Sequence, residues 1–112
     1  MNDGINLFGY IDDEAYQLNI NEIERVCVED NKTIAYVFNK IYRLKYRLYQ
    51  IEEMLGEAFI KINQSSLINK RFIKCFSNSF GGTISVILKS GTEDYVSRRQ
   101  TKNILERMGI KK

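Results

Sequence analysis

The chain has 112 residues, of which 44% are apolar and 12% aromatic, so we expect one folded domain with a substantial core. No apolar run approaches the roughly 18 residues that a membrane-spanning helix needs. The acidic N-terminus lacks the basic and apolar regions of a signal peptide. These features predict a cytoplasmic protein.

The composition argues against an enzyme, because without histidine a general base near neutral pH would have to be a shifted Glu, Lys or Cys. Cys27 and Cys75 are the only cysteines, and they are far apart in the sequence. We therefore expect no catalytic residue, no metal site and no cofactor. Both cysteines lie in strand-like apolar surroundings, which predicts two buried, reduced thiols.

Charge is divided unevenly along the chain. Residues 1–30 hold eight acidic residues against Arg25 alone, a net charge of −7, whereas residues 31–112 have a net charge of +10. A chain divided in this way can fold with one basic face, which is a candidate surface for a nucleic acid.

Apolar and polar residues alternate through most of the chain, which is typical of half-buried strands. The alternation predicts strands over residues 5–11, 16–20, 23–28, 33–38, 41–46, 58–62, 66–68, 71–76, 83–89 and 92–96. In the segment IYRLKYRLY, one side of the strand carries Ile41, Arg43, Lys45 and Arg47. The other side carries Tyr42, Leu44, Tyr46 and Leu48, so we expect a half-buried strand with a basic outer edge.

Two segments have helical spacing instead. Leu48, Ile51 and Leu55 predict a short amphipathic helix over residues 48–55, which Gly56 can end. Ser97 followed by Gln100 is a capping-box signature for a second helix, which Gly109 ends. The sequence thus predicts a mainly β domain of many short strands with two small helices.

Two polar clusters suit the recognition of bases. The first, Asn63-Gln64-Ser65-Ser66, interrupts an otherwise apolar strand pattern, and its amides match the edge of adenine. The alternative is a wide loop whose polar groups satisfy its own backbone. The second is Arg98-Arg99 in the first turn of the last helix, where cations oppose the helix dipole. The candidate roles of these two arginines are contacts with guanine or phosphate, or else salt bridges to the acidic N-terminal third.

The segment from LYQIEEMLGEAFIKINQSSLINKRFIKCF to TISVILKSGTEDYVSRRQTKNIL resembles the LytTR DNA-binding domain of bacterial transcription regulators. That family has a short helix, a strand similar to F-x-R-x-H-R-S-Y-x-V-N, further strands, and V-S-R-R before a terminal helix. The matching residues of this chain are Phe59, Ser65, Ile68, Asn69, Gly91 and Val96-Ser97-Arg98-Arg99. The motif His and Arg are replaced by Asn63 and Gln64, and the motif Tyr by Ser66.

The resemblance implies an elongated, multi-stranded antiparallel β domain whose loops enter successive major grooves. Residues 21–112 form the LytTR-like part, and residues 1–20 are an acidic strand segment of the same domain. The implied partner is double-stranded promoter DNA with direct repeats, bound head-to-tail by a protein that is monomeric in solution. A stand-alone member without a receiver domain is further implied, with a cognate membrane protein as a possible inhibitor.

Candidate contacts follow from the resemblance and from the basic composition. The residues expected to contact bases are Asn31, Asn63, Gln64 and Arg99. Those expected to contact phosphates are Lys32, Lys61, Ser65, Ser66, Lys70, Arg71, Arg98 and Lys102, and Arg43, Lys45 and Lys74 are further candidates. The alternative function is a protein-interaction module that regulates another regulator without binding DNA.

Overall fold

The structure is a computed structural model, and it describes residues 6–78 and 83–109. The strands of these ranges are β1 (Leu7–Ile11), β2 (Glu14–Leu18), β3 (Ile23–Glu29), β4 (Lys32–Val37), β5 (Lys40–Leu44), β6 (Phe59–Asn63), β7 (Ser66–Asn69), β8 (Ile73–Asn78), β9 (Ile84–Leu88) and β10 (Glu93–Val96). The helices are α1 (Leu48–Leu55) and α2 (Arg98–Arg107). The molecule measures 44 × 31 × 23 Å. The predicted fold class, mainly β with two short helices, is confirmed.

The strands form two antiparallel sheets. Seven strands are ordered β2-β1-β5-β4-β3-β7-β6, and three are ordered β10-β9-β8. Most neighbours within a sheet are also close in the sequence, because short turns join antiparallel strands directly. The exceptions are the pairings of β1 with β5 and of β3 with β7, and the second brings the hairpin β6–β7 against β3.

The hairpin β6–β7 lies between two hydrophobic cores. Phe59 and Leu67 belong to the core that α1 closes over the seven-stranded sheet. Ile60 and Ile68 belong to the second core, which the three-stranded sheet and α2 complete through residues such as Ile104. Successive side chains of a strand point to opposite faces, so this hairpin buries apolar residues on both. That explains why its sequence is almost continuously apolar.

Some of the predicted strands end at other residues than predicted, and some have faces that are exposed where the sequence predicted burial. Tyr46 is 42% exposed rather than buried, because β5 ends at Leu44 and the alternation ends with it. Cys27 is buried, as predicted, but Cys75 is exposed. The prediction for Cys75 was wrong because β8 is an edge strand of the small sheet, and its alternation does not reveal whether a face is covered. The first predicted strand starts at residue 5, which lies outside the described residues.

Candidate nucleic-acid interface

A two-residue turn joins β3 to β4 and exposes Asn31. Asp30 and Asn31 have φ angles of 51° and 62°, and these positive values are those of a type I′ hairpin turn. Asp and Asn tolerate this backbone better than other side chains that carry a Cβ. The side chains of Asn31 and Lys32 are both exposed. The local sequence therefore places an amide and a cation at the tip of this hairpin.

A second two-residue turn, Gln64-Ser65, joins β6 to β7. The Asn63 side-chain oxygen accepts a hydrogen bond from the Ser65 backbone N–H at 2.8 Å, so the turn is braced from within. The backbone N–H of Val28 donates to the Ser65 carbonyl at 2.9 Å. Gln64 remains exposed.

The pairing of β3 with β7 puts these two turns at the same end of the large sheet. Cys27 is the partner of Ser66, and the Val28–Ser65 bond continues this pairing by one step. The end of β3, which leads into the Asn31 turn, therefore lies beside the start of β7, which follows the Gln64 turn. We call this end of the molecule the Gln64 end.

The start of α2 lies at the Gln64 end as well. Ser97 Oγ accepts from the Gln100 backbone N–H at 3.3 Å and caps the helix. The Ser97 N–H donates to the Ile62 carbonyl at 2.9 Å, so the reciprocal half of the predicted capping box does not form. Arg99 is exposed in the first turn and lines a concavity of about 350 Å³ together with Gln64 and Lys61.

A larger basic concavity, of about 1010 Å³, adjoins the Asn31 turn. Its cationic lining residues are Lys32, Arg43, Lys45 and Arg47. None of the described residues that line either concavity is acidic. Grooves lined by charge of one sign focus the electrostatic field and attract a polyanion. The alternation of IYRLKYRLY predicted correctly that Arg43, Lys45 and Arg47 are exposed, although only Arg43 of these lies on β5.

Acidic side chains are also present at the Gln64 end, and two of the three have partners. Glu29 accepts a hydrogen bond from the Tyr36 hydroxyl, and Asp94 accepts one from Ser66 Oγ at 2.7 Å. Asp30 is exposed in the hairpin turn. The cations of the two concavities thus outnumber these acids.

The sequence profile of the LytTr DNA-binding domain family matches residues 13–109. The chain belongs to the LytTR DNA-binding domain family. It is 36% identical over 104 residues to uncharacterized HTH-type transcriptional regulators of Staphylococcus aureus, such as those of strains NCTC 8325 and MRSA252. These matches cover 93% of this chain and 71% of each relative. A LytTr DNA-binding domain from Bacillus cereus shares the fold, with a TM-score of 0.87, 19% identity, and coverage of 94% of this chain and 97% of that one.

The LytTR assignment makes this a DNA-binding regulator domain of a family without enzymatic function. The predicted family is therefore confirmed. Within the described part of the chain, five strands separate α1 from α2, so these two helices do not form a helix-turn-helix. DNA-contacting groups in this LytTR domain have to be sought on turns and at the start of α2.

Two of the residues predicted to contact DNA are buried. Asn63 is 1% exposed, and its amide nitrogen donates to the Tyr95 carbonyl at 2.9 Å, so it has no edge to offer to a base. Ser66 is 4% exposed, and its hydroxyl donates to Asp94. The predictions of a base contact for Asn63 and of a phosphate contact for Ser66 are wrong. Both side chains are occupied in holding the turn.

The other predicted phosphate contacts divide between the two ends of the molecule. Lys61 and Ser65 flank Gln64, and Lys102 is exposed one helical turn beyond Arg98. Lys70 and Arg71 follow β7 at its opposite end, where Lys70 Nζ lies 3.9 Å from a Glu57 carboxylate oxygen. The structure therefore does not bring Lys70 and Arg71 to the Gln64 end.

At the opposite end, Arg71, Phe38 and Lys89 line a separate concavity of about 450 Å³. We call this end of the molecule the Arg71 end. Phe38 precedes β5 and Lys89 follows β9, so turns from both sheets meet there. This end offers cations that are remote from the Gln64 turn, which makes them useful controls.

The sequence did not single out Asp94 or Tyr95 as parts of the site. Tyr95 is 53% exposed and lines the Arg99 concavity, and Asp94 contacts the Gln64 turn. Both lie on β10, about thirty residues from the turn they touch. Only the outward position of Tyr95 could have been inferred from the alternation, since these contacts are not local.

Cys27 lies beneath the Gln64 turn as an unreactive group. Burial raises the pKa of its thiol, although the neighbouring Arg25 guanidinium acts in the opposite direction. The thiol is therefore protonated near neutral pH. Among residues 6–78 and 83–109, no group of three or more Cys, Asp or Glu side chains is arranged to hold a metal ion. No helix of these ranges is both long and apolar enough to cross a membrane.

Proposed function

We propose that this chain is a sequence-specific transcription regulator that contacts base edges in the major groove through Asn31, Gln64 and Arg99. The observation behind the proposal is that two turns and the start of α2 bring these exposed polar side chains to the Gln64 end. An amide matches the N6/N7 edge of adenine, and a guanidinium matches the O6/N7 edge of guanine. Together they form the proposed set of direct base contacts.

The phosphate contacts that we propose come from the cations around these three residues. The cations predicted from the sequence are Lys32, Arg43, Lys45, Lys61, Arg98 and Lys102, to which the larger concavity adds Arg47, and the hydroxyl of Ser65 is a neutral donor beside them. Such contacts fix the register of a protein on the duplex without selecting a sequence. They supply the affinity that all duplexes share.

We further infer that the protein is a monomer in solution and pairs head-to-tail on direct repeats in promoters. The palindromy of an operator mirrors the two-fold axis of a dimer, so a protein that is monomeric in solution has no symmetry that would require a palindrome. This activity implies a cytoplasmic protein. A cognate membrane inhibitor stays a prediction.

Selection of duplexes from a random pool tests both parts of the proposal. We expect enriched sequences that contain two copies of one motif in the same orientation. Recovery of an inverted repeat would contradict the head-to-tail arrangement. A pool without enrichment after several rounds at low salt would contradict sequence-specific binding.

Alanine variants test which end binds. Arg99→Ala and Gln64→Ala should each weaken binding to the selected duplex by about 1–3 kcal/mol and relax the preference at one base pair. Arg71→Ala is the matched control, since it removes an exposed cation from the opposite end. A gel-shift titration measures all three. An equal loss for Arg71→Ala and Arg99→Ala would mean that the binding end has been misassigned.

A protein-interaction module is the second candidate, and exposed apolar side chains favour it. Phe38 is 71% exposed and Ile41 56% exposed, in the turn between β4 and β5 and at the start of β5, which lie away from the Gln64 end. Exposed apolar patches often mark surfaces that bind other proteins. Failure to bind any duplex at low salt, together with capture of another regulator, would support this function instead.

A further inference from the structure

Asp94 is an acidic residue close to the surface that we propose to face DNA. It is half-buried on β10, four residues before Arg98. A carboxylate at this position repels a polyanion and should weaken binding to every duplex. Its presence at the Gln64 end therefore calls for a compensating role.

The contacts of Asp94 lead directly to the Gln64 turn. One carboxylate oxygen accepts from Ser66 Oγ at 2.7 Å. The other accepts from the Tyr95 backbone N–H at 2.8 Å and lies 3.4 Å from the Asn63 amide nitrogen. Because the carboxylate accepts several hydrogen bonds at once, it orients the groups on both sides of Gln64.

Asn63 completes this connection from the other side. Its amide nitrogen donates to the Tyr95 carbonyl at 2.9 Å, while its oxygen accepts the Ser65 N–H at 2.8 Å. Gln64 is therefore preceded by a residue tied to β10 and followed by residues tied to Asn63 and Asp94. The exposed Gln64 side chain therefore projects from a turn whose neighbouring residues are held by hydrogen bonds on both sides.

No sheet pairing holds β10 to the turn. β6 is an edge strand of the seven-stranded sheet, and β10 is an edge strand of the three-stranded sheet. Val96 of β10 packs in the same core as Ile60 of β6. The hydrogen bonds between the hairpin β6–β7 and the segment from β10 to α2, among the described residues, are the side-chain bonds of Asn63 and Ser66 and the backbone bond from Ser97 to Ile62. Ser97 also caps the helix that carries Arg99. The side-chain bonds thus join two elements that are each proposed to contact a different base.

We propose that Asp94 is a positioning residue that fixes the Gln64 turn relative to the start of α2 and so sets the sequence discrimination of the domain. This inference rests on the proposed function. Asp94 touches no base itself. It determines whether Gln64 and Arg99 meet their base pairs in register, because contact groups must be held by supporting hydrogen bonds to be selective.

The substitutions Asp94→Ala and Asp94→Asn separate positioning from charge. Alanine removes every acceptor and leaves the hydroxyl of Ser66 and the amide of Asn63 without this partner. Asparagine removes the charge but keeps one acceptor for Tyr95 and Asn63, and its amide can donate to the hydroxyl of Ser66. Glu93→Ala is the matched control, since it removes an exposed acid from the same strand.

The measurement is the ratio of the affinities for the selected duplex and for a scrambled duplex of the same composition, with thermal unfolding in parallel. We expect Asp94→Ala to lower this ratio by about tenfold, the order of one lost base contact, without weaker binding to the scrambled duplex. Asp94→Asn should keep most of the wild-type affinity ratio. Glu93→Ala should leave it unchanged.

Two results would overturn the inference. One is an Asp94→Ala protein with the wild-type ratio. The other is an equal loss on both duplexes that follows a loss of thermal stability, which is the signature of a purely structural role. If Asp94→Ala does not fold, Ser66→Ala decides the question in the same assay, because it removes the 2.7 Å bond to Asp94 and, besides that, only the 3.7 Å contact of the same hydroxyl with the buried Cys27 thiol. A wild-type ratio near one would instead refute the proposed function and this inference with it.

Discussion

Gly9 on β1 is packed against the side chain of Tyr42 on β5. A Cβ at this position would lie 2.6 Å from Tyr42 Cβ and 2.8 Å from Leu18 Cδ1. We expect Gly9→Ala to lower the free energy of unfolding by about 1–3 kcal/mol, because a Cβ atom cannot move aside without its strand. Urea denaturation measures the change. Gln17→Ala, at an exposed site of the neighbouring strand, is the control and should change stability by less than about 0.5 kcal/mol.

Asn63 and Gln64 are chemically similar neighbours with opposite environments. Asn63 is 1% exposed and bonded to Tyr95, whereas Gln64 is exposed. The break in the apolar pattern predicted a polar interruption between two strands, and the structure has a two-residue turn there rather than the wide loop that was the alternative. Which amide turns inward depends on a strand about thirty residues away, so a local pattern has no information about it.

At the scale of elements, the positive charges in the first turn of α2 oppose the helix dipole. Arg98 and Arg99 follow the cap Ser97, where acidic residues would be more favourable. We expect Arg98→Glu to stabilise the protein by about 0.3–1 kcal/mol at low ionic strength, as measured by thermal unfolding. The same change should weaken DNA binding, because the proposed phosphate contact of Arg98 would be replaced by repulsion.

Lys102→Glu is the matched control for this trade between stability and binding. Lys102 lies in the second turn of α2, beyond most of the dipole effect, so its replacement should weaken binding without the gain in stability. If Arg98→Glu were stabilising and bound DNA as well as wild type, Arg98 would have no role at the interface. The arginine would then remain unexplained.

The strands and helices themselves were largely predictable from the sequence. Tyr42 and Leu44 are buried as their alternation predicted, and the helix with Leu48 and Ile51 begins where the period changes. Alternation gives the relative direction of side chains, but it does not say which faces another element covers. That is why the same rule that placed Tyr42 correctly failed for Cys75 on an edge strand.

At the scale of the whole molecule, turns define two ends of different character. The Gln64 end combines three exposed contact elements with two concavities whose described lining has no acidic residue. The concavity at the Arg71 end is lined by Arg71 and Lys89 together with Glu22 and the exposed Phe38. The net charge of +3 does not reveal this division, since it depends on which strand ends meet. Sheet topology, and in particular the pairing of β3 with β7, creates it.

The salt dependence of DNA binding should reveal which end carries the phosphate contacts. The logarithm of the binding constant falls with the logarithm of salt concentration by about 0.9 for each phosphate neutralised. Lys32→Ala and Lys45→Ala remove cations of the larger concavity, so each should reduce this slope by about one unit. Lys89→Ala removes a cation from the Arg71 end and should leave the slope at its wild-type value. Fluorescence anisotropy on a scrambled duplex measures the slopes without any contribution from base recognition. A reduced slope for Lys89→Ala with unchanged slopes for the other two would place the duplex at the Arg71 end.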